Sequence, residues 1–142
     1  MKLRITALAL AALALSTLIL PGTADARPGR HRPVGPRWEF LGERTVTDAV
    51  DHDVIPVTVA RGTFRSLKLE VRDRGVDFHS MKIHFGDGET QEVVLRQTIP
   101  AGGESRIIDV EGRERVIRSI EFVYDARSLL GKKARVQVWG RS

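Results

Sequence analysis

The sequence contains no cysteine. That absence rules out disulfide staples, thiol nucleophiles and thiolate metal sites, and also a lipid anchor built on a cysteine behind a leader. Aromatic residues make up only 6% of the chain, which is low for a module that stacks on sugars. After Leu20 no apolar run approaches the ~20 residues needed to span a bilayer, so no transmembrane segment is expected once a leader is removed. There is no Gly-x-Ser-x-Gly elbow, no phosphate-binding glycine loop and no dinucleotide fingerprint. Ser66, Ser105, Ser119 and Ser128 have no nearby His–acid pattern, and Ser80 has only His79 beside it. The expectation is a protein that is not an enzyme and that needs no cofactor.

The opening of the chain carries an address. Lys2 and Arg4 precede an apolar run from Ile5 to Leu20, which Pro21 and Gly22 end. Ala24 and Ala26 then place small residues where a signal peptidase reads. Residues 1–26 are read as a cleavable signal, and the protein as exported, either periplasmic or secreted. Removing 26 of the 142 residues leaves 116, enough for one domain that buries roughly two-thirds of its unfolded surface.

Charge has little excess of either sign in most of the chain. Of 23 Lys and Arg, Lys2 and Arg4 lie in the leader, as does Asp25 of the 18 acids. Arg27, Arg30, Arg32 and Arg37 fall within the next eleven residues, RPGRHRPVGPR, with no acid among them. That leaves 17 basic and 17 acidic residues in 38–142, so the mature excess sits wholly in residues 27–37. Three prolines and two glycines keep this stretch from forming a helix or a central strand, so it is read as a disordered basic arm. A cationic arm attracts polyanions. Outside the cytoplasm these are anionic envelope polymers, with another envelope protein as the other partner class and no nucleic acid. The plainer reading is a solubilising spacer.

From Trp38 onward the pattern is that of strands. Leu67, Leu69 and Val71 alternate with polar residues, as do Met81, Ile83 and Phe85, then Ile120, Phe122 and Tyr124, then Ala134, Val136 and Val138. Residues 53–59, 90–97 and 105–110 are further strand candidates, rich in Val and Ile. Gly62, Gly75, Gly86 to Gly88, Gly102 to Gly103 and Gly112 mark the turns between them. About eight short strands predict a single antiparallel β-sandwich over residues 38–142, with one helical turn within 125–132. Val76 and Phe78 are out of phase with Met81, which predicts a β-bulge near His79 and Ser80. Val116 and Ile117 suggest a second near Arg118. Phe85 to Gly88 is similar to the Phe-Gly-Asp-Gly signature of the polycystic-kidney-disease type of sandwich, but a hairpin turn explains it.

Two further constellations were weighed. Asp51, His52, Asp53, His79 and His84 carry the residue types of a metal site, and a small metal-dependent hydrolase would need them to converge. Neighbours on an extended chain point to opposite sides, so the expectation is that they form no metal site. Trp38 and Trp139, near the two ends of the domain, would have to be exposed to serve as a carbohydrate-binding platform. Their positions suggest that the first and last strands lie side by side. Trp139 falls on the face opposite to Ala134, Val136 and Val138, where it is exposed or covered by Trp38 and the arm, and a covered Trp that clamps the domain's ends is the favoured reading.

Several segments taken together resemble a known family. They are 38–42 (WEFLG), 53–57 (DVIPV), 62–69 (GTFRSLKL), 82–88 (KIHFGDG), 105–110 (SRIIDV), 115–124 (RVIRSIEFVY) and 134–140 (ARVQVWG). The chain resembles a family of small, secreted, all-β bacterial proteins of unknown function. That resemblance implies the fold and the compartment and supplies no catalytic residue.

Overall fold

Alternation decides the architecture. In 134–141 the side chains of Ala134, Val136 and Val138 are buried, while Arg135, Gln137 and Trp139 turn outward. The same rule holds in the other long strands. The computed structural model describes residues 37–49 and 51–142. Within them lie nine strands: β1 (Glu39–Val46), β2 (His52–Pro56), β3 (Thr63–Phe64), β4 (Ser66–Arg72), β5 (Val76–Phe85), β6 (Thr90–Ile99), β7 (Ile108–Asp109), β8 (Arg115–Tyr124) and β9 (Ala134–Arg141). A four-stranded sheet runs β1-β9-β4-β7, and a five-stranded sheet runs β2-β8-β5-β6 with β3 also on β8. All pairs are antiparallel. The expected all-β sandwich is the observed fold. Residues 1–26, read from the sequence as a signal, and the stretch 27–36, read as most of a basic arm, lie outside the described residues.

The core lies between the two inner faces. Val46, Leu69, Val71, Val136 and Val138 from one sheet meet Phe78, Ile83, Ile120, Phe122 and Ile55 from the other, all fully buried. Phe122 packs edge-on to Phe78, with ring centroids 5.8 Å apart, and Tyr124 lies 5.9 Å from Phe122 on its other side. Burying a side chain of this size contributes about 1.5–3 kcal/mol. With no disulfide to restrict the unfolded chain, this apolar burial carries the stability.

Both expected phase slips are present. Against β8, β5 carries His79 as an extra residue between Phe78 and Ser80. Against β5, β8 carries Arg118 between Ile117 and Ser119. Each insertion returns the following apolar residues to the core. The β5–β6 hairpin turns on Gly86 to Gly88, where Gly88 has φ +94° and donates its N–H to the Phe85 carbonyl.

Other expectations need correcting. Residues 105–110 do not form one strand, because only Ile108 and Asp109 pair regularly with β4. Ser105 uses its hydroxyl to accept the Leu69 N–H and to donate to the Arg106 carbonyl, which breaks the ladder. Arg106 then turns away and donates to the Val94 carbonyl on β6, so this loop ties the edges of both sheets together. Likewise β2 ends at Pro56 rather than at residue 59, and a 3-10 turn follows at Val59–Arg61. A second 3-10 turn, Ala126–Leu129, occupies the region where a helical turn was expected, with Asp125 capping it.

Candidate functional site

The pairing of first and last strands builds the outer face of the four-stranded sheet. Phe40 on β1, Trp139 on β9 and Lys68 on β4 stand opposite one another. Phe40 meets Trp139 edge-on at 5.4 Å. Trp38, just before β1, lies between two cations: the Arg141 guanidinium carbon is 4.9 Å from its ring centroid and Lys68 Nζ is 5.2 Å away. Lys68 also bonds Glu70 and Glu104. Burial works against the Lys68 charge, but those two carboxylates outweigh it and raise its pKa. Both tryptophans are half-buried, so the platform is neither bare nor sealed. The indole N–H of Trp139 and the amide oxygen of Gln137 are buried on this face without a hydrogen-bond partner among the described residues. Arg37, at the root of the arm, is exposed; Arg27, Arg30 and Arg32 lie outside the described residues.

The five-stranded sheet presents a different chemistry on its outer face. Glu121 projects from β8 between two histidines that the sequence did not show to be partners. His52 Nε2, from β2, is 2.8 Å from Glu121 Oε1. His84 Nε2, from β5, is 2.8 Å from Glu121 Oε2. A carboxylate only accepts, so each imidazole donates from Nε2. The hydrogen bonds from His84 and then His52 hold the Glu121 carboxyl below its usual range. Lys82 stands opposite Glu121 in the β5–β8 register and pairs with Glu92 of β6 at 3.1 Å. Beside them a depression of about 140 Å³ is lined by Ser80, Lys82, Glu92, Val94, Glu121 and Val123.

The metal candidates are therefore distributed rather than gathered. His52 and His84 reach Glu121 from strands on opposite sides of β8. Asp53 turns the other way: its Oδ1 accepts from Arg44 Nε at 2.8 Å and its Oδ2 accepts from the Tyr124 hydroxyl at 3.0 Å. Asp51 is exposed at the head of β2, with its carbonyl bonded to the Tyr124 N–H. His79 is exposed at the bulge. Among the described residues no group of three His, Asp or Glu side chains is placed to hold a metal ion.

A third feature is an open groove of about 580 Å³ at the Gly86 turn, lined in part by Thr63, Asp87, Arg115 and Arg118. Arg115 stacks on the Phe85 ring at 3.7 Å and pairs with Asp87 and Glu89, so its charge is already spent. Sequence reasoning missed this stack and the Glu121 cluster. Alternation did place Glu121 outward between Ile120 and Phe122, but the strand partners that bring the histidines to it depend on register.

Comparison with known proteins bears on the fold. The structure of AlgX from Pseudomonas aeruginosa matches 71% of this chain with a TM-score of 0.51 at 14% sequence identity. The match covers 26% of the AlgX chain, so this chain corresponds to about a quarter of that protein, and at this identity the likeness concerns the fold alone. No curated protein matches the sequence. The family model described as "Domain of unknown function (DUF2541)" matches residues 9–140, nearly the whole chain, and the protein belongs to that family.

Proposed function

We propose that the protein is exported and acts, without catalysis, as a binding or structural component of the cell envelope whose basic arm engages anionic polymers. The observation that supports this most is the setting of Trp38. The indole that joins the arm to the domain is held between Lys68 and Arg141, with Arg37 exposed next to it. Lys68 is matched there by Glu70 and Glu104, so Arg141 supplies the fixed cation beside the aromatic rings at the root of the arm. Charges on such an arm gain from a fixed neighbour of the same sign, because a polyanion can bridge both, and such binding weakens as salt rises.

The test is retention of the mature chain on immobilised dextran sulfate at low salt. Deleting residues 27–37 should abolish most retention, and Arg141→Gln should weaken it. Unchanged retention after the deletion would remove the arm from the account.

One observation favours carbohydrate as the polymer class. Trp38, Phe40 and Trp139 share a single outer face with Lys68, Glu70 and Gln137, which combines stacking surface with hydrogen-bonding groups. Under that reading Trp38→Ala lowers affinity for an acidic polysaccharide more than for an inorganic polyphosphate. Equal losses would reduce the face to charge alone.

A further inference from the structure

We propose that the outer face of the five-stranded sheet is a proton-gated anion-binding surface, operated by His52 and His84 on either side of Glu121. The argument starts from hydrogen bonding. Each imidazole already donates its Nε2 proton to one oxygen of the same carboxylate. Protonation at Nδ1 leaves that bond in place and strengthens it, because a charged donor bonds a carboxylate more tightly than a neutral one. The cluster therefore takes up protons without rearranging, and the charges appear at fixed positions on a rigid sheet.

One carboxylate cannot neutralise two imidazolium ions. Around Glu121 the charged groups are His52 from β2, Lys82 and His84 from β5, and Glu92 from β6 behind Lys82. Asp51 is exposed at the head of β2 and Arg118 at the β8 bulge, beyond the opposite end of that strand. Asp53 faces Tyr124 and Arg44, away from this surface. With neutral imidazoles the two glutamates are matched by Lys82 and by the Arg106 guanidinium on the Val94 carbonyl, and the face carries little net charge. With both imidazoles charged it is positive. Imidazoles as a class change charge between about pH 5 and 8, so the comparison that matters is mildly acidic against neutral medium.

What such a face takes is an anionic group. The depression beside Glu121 offers the Ser80 hydroxyl and the Lys82 amine, with the Glu92 and Glu121 carboxylates also on its wall, so an anion enters only once the imidazole charges offset those carboxylates. Its volume of about 140 Å³ fits a carboxylate, phosphate or sulfate on a larger molecule. The exposed Val54 and Val94 flank the cluster, with the Arg106 guanidinium held on the Val94 carbonyl. This surface lies on the five-stranded sheet, whereas Trp38 borders the four-stranded one.

The experiment measures dextran sulfate binding to the mature full chain at low salt, at pH 5.5 and pH 7.5, by calorimetry. The wild-type protein should bind about tenfold more tightly at the lower pH, as expected for two added surface charges. The chain has other histidines, His31 and His79, so the informative comparison is with His52→Gln/His84→Gln, which should lose most of that gain. Glu121→Gln tests the opposite sign: it removes the negative charge and should bind more tightly than wild type at pH 7.5, a gain that misfolding cannot mimic. Equal pH dependence in wild type and the double variant overturns the proposal, as does a Glu121→Gln protein that binds no better at pH 7.5. Loss of all binding on deleting residues 27–37, with the pH dependence at His52 and His84 absent as well, supports the arm alone.

Discussion

Replacing Tyr124 by Phe removes a single oxygen from the end of the core, and its consequence can be worked from the structure. The Tyr124 hydroxyl is buried, 3.0 Å from Asp53 Oδ2 and 3.2 Å from the Thr47 carbonyl. Both neighbours are acceptors and the hydroxyl has one proton, so it donates to the carboxylate, the shorter contact, while the carbonyl shares the same hydrogen. Asp53 keeps Arg44 at 2.8 Å but loses its second partner, and its side chain is only 10% exposed, so water replaces the lost bond poorly. A hydrogen bond to a charged group contributes about 1.5–3 kcal/mol. The aromatic ring and its contact with Phe122 stay in place, so no large cavity term is added. The expected loss is about 2 kcal/mol, equivalent to roughly 10 °C in Tm for a domain of this size. Thermal denaturation followed by circular dichroism measures it. A change under roughly 2 °C, or less than about 0.5 kcal/mol, would refute the claim that this bond fixes the β1–β2 loop to β8.

Four other outcomes follow from the same geometry. Burial, then Asp53, pushes the Tyr124 pKa well above its usual value, so the fold favours the neutral phenol. The stability this brings is complete below the unfolded value near pH 10 and is lost as pH rises past it; tyrosinate absorbance should therefore appear only with unfolding. The depressed Glu121 pKa has the opposite sign: its contribution is present above the unfolded value near pH 4.3 and falls as pH drops toward the lower folded one, so Glu121→Gln should flatten the acid limb of a stability–pH curve. Gly140→Ala sets a methyl 2.6 Å from Phe64 Cδ1 and 2.8 Å from Leu41 Cδ1, and urea titration should show a loss of about 1–3 kcal/mol. Ser105→Ala leaves the Leu69 N–H without its side-chain partner in a buried strand, and the same titration should show a loss of about 1–3 kcal/mol, with an unchanged midpoint counting against that role.

What the sequence made legible was mainly what depends on side-chain period. The inward sets of β4, β5, β8 and β9 follow from alternation, and a period of two is so strict that one skipped residue announced the bulges at His79 and Arg118. The adjacency of the two ends, now seen as the β1–β9 pair, was suggested by Trp38 and Trp139 lying near opposite termini of the domain. Segment 105–110 misled because its apolar residues fit a strand, whereas the Ser105 hydroxyl competes with the backbone ladder. At the β4–β5 turn the positive φ falls on Asp73, at +72°, rather than on Gly75, since an aspartate tolerates that conformation. The histidine cluster was out of reach for a different reason. His52, His84 and Glu121 are separated by 37 and 69 positions along the chain, and only strand order and register bring them together.

The central claim is that a cationic arm, rooted at Trp38 between Lys68 and Arg141, gives this sandwich its hold on anionic polymers. Its most direct test is the affinity of the mature chain for dextran sulfate across a salt series, with and without residues 27–37. The account predicts binding that weakens steeply as salt rises and is largely lost with the arm. Binding that is equally tight without residues 27–37, or that is indifferent to salt, would contradict it.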